Sequence, residues 1–162
     1  MNMSLVRISK VLSLCLYLGF SYQLAGKEVP NSSTAEWNNL KSSLFGDKEV
    51  VGSNNIIDIE APFRAEDAAV VPISITSKIL QSSKKYIKKI YLLIDKNPTP
   101  VAGIFTLSQK AGRADIETRV RLEEYTFVRA VAELNNGDLH MAHRYVRASG
   151  GCSAPAGKDQ EL

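Results

Sequence analysis

"YTFVRAVAELNNGDLHMAHRYVRAS", residues 125–149, decides the fold. Two runs rich in Val, Ala and aromatic residues are separated by Asn135-Asn136-Gly137. An Asn-Gly pair between apolar runs is a strong hairpin signal, because both residues tolerate the positive φ that tight hairpin turns require. The stretch therefore reads as two antiparallel strands. Just upstream, "ADIETRVRL" (residues 114–122) alternates cleanly. Ala114, Ile116, Thr118, Val120 and Leu122 point one way, and Asp115, Glu117, Arg119 and Arg121 the other, which is the pattern of a half-buried strand.

Working outward, "NNIIDIEAP", "AVVPISITS", "YIKKIYLLID" and "VAGIFTLS" are short β-branched or aromatic runs bounded by Pro, Asn and Gly. Before them, "TAEWNNLKSSLF" (residues 34–45) places Trp37, Leu40, Leu44 and Phe45 on roughly one face of a short helix, with Thr34 as its N-cap. Seven or so short strands, one short helix and no internal repeat predict an all-β sandwich. The Lys84–Lys89 run "KKYIKK" reads as a strand edge protected by lysine, and a basic docking patch is the alternative. Asp95-Lys96-Asn97-Pro98 has the composition of a turn and receives a structural role.

Composition bounds the partners. The chain has 162 residues, 44% hydrophobic and 23% charged, which suits one globular domain with a real core. Residues 1–26 read as an export signal: Arg7 and Lys10 precede the apolar run Val11–Phe20, and small and polar residues follow around Ala25 and Gly26. That run falls short of the roughly 20 apolar residues of a membrane span, so cleavage is expected rather than anchoring, with no membrane attachment afterwards. "LSLC" (Leu12–Cys15) loosely resembles a lipoprotein box, but Leu14 stands where a small residue is wanted, and Cys15 is read as part of the signal core. Removing the signal takes Lys plus Arg from 20 to 18 against 17 acidic residues, a net charge of +1. A nearly neutral domain gives no support to nucleic-acid binding.

The expected organisation is thus a signal over residues 1–26, a β-sandwich domain over 27–148 and a flexible arm over 149–162. Cys152 becomes the single remaining cysteine of an exported chain, so it has no internal disulfide partner. It follows Gly150 and Gly151 and precedes Ser-Ala-Pro-Ala-Gly, a setting that forms neither helix nor central strand easily. The thiol is expected to be presented outward.

"IYLLIDKNPTPVAGIFTLS" (Ile90–Ser108) resembles the corresponding stretch of the sulfur-oxidation carrier protein family SoxY, and the carboxyl-terminal Gly-Gly-Cys supports the match. "GGCSAPAGKD" (Gly150–Asp159) is similar to the SoxYZ-like carrier proteins associated with quinoprotein dehydrogenases. The resemblance runs from about Trp37 through Asp159. It implies an immunoglobulin-like β-sandwich in the periplasm, ending in a mobile arm whose Cys152 carries sulfur intermediates covalently between enzymes, with Gly150 and Gly151 as the flexible positions. It also implies a SoxZ-like domain or subunit as partner, periplasmic oxidoreductases including a quinoprotein dehydrogenase and a cytochrome, and no cofactor or metal. In SoxY the chain ends almost at the cysteine, whereas here Ser153, Ala154, Pro155 and Ala156 follow; the SoxYZ-like relatives continue into a SoxZ-like second half, which is expected here to be either encoded separately or lost by truncation.

The residues leave two other readings open. One is a non-catalytic adaptor docking to a quinoprotein dehydrogenase or its cytochrome, with the cysteine dispensable. The other is a copper site from His140, Met141, His143 and Cys152, which contain the residue types of blue-copper centres. Side chains three apart on a strand point to opposite faces, so His140 and His143 are not expected to converge. Arg144 and Arg147 either favour a thiolate or bound anion by their charge or are outward polar positions. No phosphate loop, helical metal-ligand pair or nucleophile-base set is evident, so a covalent carrier is favoured over an enzyme.

Overall fold

The computed structural model describes residues 29–52 and 55–148. The expected signal segment, and the expected arm with Gly150, Gly151 and Cys152, lie outside the described residues. Helix α1 (Ala35–Phe45) begins where expected: Thr34 is extended, and its Oγ1 accepts the Trp37 N–H at 3.1 Å, satisfying one of the otherwise unpaired first-turn donors. It ends at Gly46, where φ is +61° and the N–H donates to the Ser42 carbonyl at 3.0 Å.

Nine strands follow among the described residues: β1 (Val50–Gly52), β2 (Ile57–Glu60), β3 (Arg64–Ala65), β4 (Val71–Ser77), β5 (Ile87–Ile94), β6 (Val101–Thr106), β7 (Ile116–Val120), β8 (Thr126–Leu134) and β9 (Leu139–Ala148). They form two sheets. The larger has the order β1-β9-β8-β5-β6, with β3 also on β9; the smaller has the order β2-β4-β7. The β8–β9 hairpin is the one predicted, in register from Thr126 opposite Val146 to Glu133 opposite Leu139. Gly137 supplies the turn's positive φ of 92°, and the Leu134 N–H donates to the Asp138 carbonyl at 2.9 Å.

The alternation of side chains then sets the layers. Val128, Ala130, Ala132 and Leu134 of β8 face the smaller sheet, whose Ile57, Ile59, Val71, Ile73 and Ile75 meet them in the main core. Each fully buried Val, Leu or Ile among them contributes about 1.5–3 kcal/mol. On the other face of the large sheet, α1 lays Trp37, Leu40, Leu44 and Phe45 against Tyr91, Leu93, Val131, Leu139 and Met141. Phe45 meets Tyr91 edge-on with ring centres 5.1 Å apart. The architecture is the expected all-β sandwich with an N-terminal helix.

Two expectations change. Lys84–Lys89 does not guard an edge: β5 is paired on both sides, with β8 and β6, so Lys88 and Lys89 project from an interior strand, and β6 is the edge. A register shift between Ile87 and Lys89 buries Ile87 while Lys88 stays exposed. The strands β1 and β3 were not anticipated. Both pair in parallel with β9 along the edge that β8 leaves free, β1 at Leu139–Met141 and β3 at Arg147–Ala148.

Candidate functional site

The chain leaves the domain at the end of β9, four positions before Cys152, and the surroundings of that exit are the candidate site. The exit is firmly held. Ala148 is buried opposite Ala65 of β3, Val146 is buried opposite Thr126 of β8, and the Arg147 N–H donates to the Phe63 carbonyl at 2.8 Å. A backbone paired on both edges and packed into the core moves little.

Arginines gather at this base. Arg147 stands opposite Arg64 in register, and its guanidinium carbon lies 5.1 Å from the centre of the Phe63 ring. Its Nε is buried and has no hydrogen-bond partner among the described residues. On the opposite face of β9, Arg144 donates to Asp58 Oδ1 at 3.0 Å, and Lys78 approaches the other oxygen at 3.6 Å. Arg144 and Arg147 are thus both partly covered, and the thiol whose ionisation they were weighed for lies outside the described residues. Positive charge nearby favours a thiolate or an anionic adduct.

On the helix side of β9, Phe63, Tyr145, Phe127 and His143 form a ladder of rings, with Tyr145 5.1 Å and His143 5.5 Å from Phe127. Burial, together with the charges of Arg129 and Arg144, holds His143 below the ordinary histidine value of 6.5 against the opposing pull of Asp95. Next to Tyr145 opens a hollow of about 270 Å³, lined by Pro30, Thr34, Glu36, Lys96, Tyr125 and Phe127 among others.

The floor of that region is an ion pair which the sequence did not announce. Arg129 and Asp95 are essentially inaccessible, with 0% and 2% of their side chains exposed. Arg129 Nε and Nη2 donate to the two Asp95 oxygens at 2.7 and 2.6 Å, and Nη2 also donates to the Ser32 carbonyl at 2.7 Å. The guanidinium lies 4.6 Å from the Trp37 ring centre, and Thr34 Oγ1 donates to Asp95 at 3.3 Å. The pair therefore clasps the helix entry and the segment before it onto the sheet. Asp95-Lys96-Asn97-Pro98 is a turn as expected, and Asp95 also has this second duty.

The described members of the copper constellation do not converge, and Cys152 lies outside the described residues. Met141 and His143 lie on the helix side of β9 and His140 on the other, and Met141 Sδ faces Arg129 Nη1 at 3.9 Å. Among the described residues no group of three metal-binding side chains is brought together. Among the same residues no helix is long and apolar enough to cross a membrane.

Comparison with known proteins agrees with the fold. The chain is similar to the sulfur carrier protein SoxY from Chlorobium limicola f thiosulfatophilum, at 22% identity and a TM-score of 0.58, over 71% of this chain and 97% of that one. It is also similar in fold to a variant of the superoxide reductase (neelaredoxin) from Ignicoccus hospitalis, at 15% identity and a TM-score of 0.51, over 58% of this chain and 80% of that one. No curated protein matches it. The family model described as sulfur oxidation protein SoxY matches residues 41–152, from within α1 to Cys152 itself. That match spans well over half of the sequence, and the chain belongs to the SoxY family.

Proposed function

We propose that this chain is an exported carrier in which Cys152, set behind Gly150 and Gly151, holds a sulfur-containing intermediate covalently while partner enzymes act on it. The observation that carries the reading is the family match over residues 41–152, which ends on the cysteine, four positions beyond the anchored end of β9. The thiolate is the reactive form of cysteine, and accessibility decides whether a partner reaches it. Two glycines add little bulk and accept most backbone conformations, which suits entry into a narrow enzyme channel.

Loading is written with thiosulfate as the example. The Cys152 thiolate joins the outer sulfur of the thiosulfate dianion; one S–S bond forms, and two electrons pass to a redox-active partner. The product is a cysteine S-thiosulfonate with one negative charge. Arg147 and Arg144, near the base of the segment, favour both the starting thiolate and this anionic product. Residues 1–26 serve as the export signal to the periplasm. A SoxZ-like domain or subunit completes the carrier, and a quinoprotein dehydrogenase with its cytochrome is the proposed oxidoreductase partner.

Intact-mass spectrometry of the protein purified from its native compartment tests the reading. The expected result is a recurrent sulfur adduct that reduction removes and that Cys152→Ser lacks. A bare thiol together with full activity of Cys152→Ser supports the adaptor instead.

A further inference from the structure

The edge of a sheet exposes unpaired N–H and C=O groups, and stable proteins blunt such edges with very short strands or with charge. Most edges among the described residues are blunted in this way: β1 and β3 have three and two residues, β2 carries Asp58 and Glu60, and β7 carries Glu117 and Arg119. Strand β6 is different. It is six residues long, and no charged residue occurs from Val101 to Ser108. We propose that a second copy of this chain pairs with β6, antiparallel and about a two-fold axis through Phe105, so that the two larger sheets continue into one. The inference does not use the carrier reading.

Backbone geometry fixes the register. The Leu107 N–H donates to the Lys88 carbonyl at 2.9 Å, and the alternation of an antiparallel ladder turns Phe105 and Gly103 toward β5 in the same way, opposite Ile90 and Leu92. Ile104 and Thr106 therefore aim their N–H and C=O groups away from the sheet, and among the described residues β6 pairs with β5 alone. With Phe105 on the axis, Ile104 of one copy stands opposite Thr106 of the other. Both residues face outward, so each such pair exchanges both of its backbone bonds and all the outward groups of Ile104 and Thr106 are satisfied. Ala102, skipped by the register shift between Leu92 and Leu93, lies outside this segment and leaves its pairing regular.

The side chains suit the same register. Ile104 stands on the helix side of the sheet opposite Tyr91, yet 51% of it is exposed. In the pair each Ile104 lies beside the Thr106 of the other copy and diagonal to the other Ile104, contacts that stabilise neighbouring strands. No charge opposes the approach. Lys88 and Lys89 of β5 lie three strand spacings from those of the second copy, roughly 14 Å, beyond the Debye length of about 8 Å at physiological salt. An uncharged edge that matches itself in bonding groups and in side chains recognises its own copy without help from other surfaces.

Sedimentation equilibrium of the purified chain, in a reductant that removes any dimer linked through Cys152, tests the proposal. A reversible monomer and dimer equilibrium is expected. Ile104→Lys places like charges near the axis, and Thr106→Pro deletes an outward N–H, a change that an edge strand tolerates. Each should weaken the dimer by about tenfold or more while the circular dichroism of the monomer stays the same. Amide exchange at Ile104 and Thr106 should slow as the chain is concentrated. A chain that stays monomeric up to millimolar concentration, or a dimer that both variants leave intact, overturns the proposal. So does protection of these two amides that ignores concentration, which gives the edge to another part of the same chain, or protection that arises only when a different protein is added. A Cys152 found unloaded in the cell overturns the carrier reading and leaves the sedimentation result as it is.

Discussion

Arg129 grips Asp95 through two hydrogen bonds of 2.7 and 2.6 Å at a site closed to solvent, and the same guanidinium reaches the Ser32 carbonyl. A buried pair stabilises little relative to apolar side chains of equal volume, but breaking it leaves a charge without compensation. Arg129→Leu is therefore expected to lower stability by about 3–5 kcal/mol in urea unfolding. Adding Asp95→Leu should recover much of the loss, because the stranded carboxylate is then gone. Equal losses in the single and double variants would mean that packing on Trp37, rather than charge, is what Arg129 supplies.

Histidine 143 gives an acid-side signature. Its folded-state value lies below the ordinary 6.5, so the unfolded chain binds the proton more readily. The stability it contributes is present above about pH 6.5 and is lost as pH falls through the lower folded value. Urea midpoints measured on acidification should decline in that window, and His143→Phe should flatten the decline. An unchanged slope in the variant would assign the effect to other groups.

Tyrosine 91 gives the alkaline counterpart. Burial, and then its hydrogen bond of 2.9 Å to Glu133, push the phenol from 10.0 to about 12. The folded chain holds the proton longer, so stability is level below pH 10 and falls between about 10 and 12. Phenolate absorbance should show one tyrosine titrating late, and Tyr91→Phe should remove that step.

The hairpin turn supplies a local test. Gly137 has φ of +92°, and a Cβ there would meet nothing within 4 Å, so backbone strain is the whole cost of a side chain. Gly137→Val is expected to destabilise by roughly 1–3 kcal/mol without changing the register of β8 and β9. Amide exchange across that hairpin reads both.

What the sequence made legible was what local pattern encodes. The Asn-Gly turn, the two-residue period of 114–122 and Thr34 ahead of an apolar stripe each identified an element that the structure contains. What it hid depends on distant pairing. Strands β1 and β3 are three and two residues long, too short for a period, and exist because β9 offers them an edge. Lys84–Lys89 resembled an edge because lysine density says nothing about which strands arrive on either side. Arg129 sits inside the apolar run "YTFVRAVAEL", where a charged residue at a covered position was the available signal, but its partner Asp95 was already explained as a turn residue. The residues proposed to carry the function, Gly150, Gly151 and Cys152, were legible as chemistry, and Arg144 and Arg147 as nearby charges; the rings of Phe63, Phe127 and Tyr145 and the Arg144–Asp58 pair were not, since separate segments contribute them.

The mass of the intact chain taken from its native compartment, before and after a mild reductant, bears most directly on whether a sulfhydryl at residue 152 is the working part. The account predicts a sulfur-bearing increment that the reductant strips and that disappears in Cys152→Ser along with the supported oxidation. A chain that always has its unmodified mass, and a Cys152→Ser strain that oxidises sulfur normally, would contradict it.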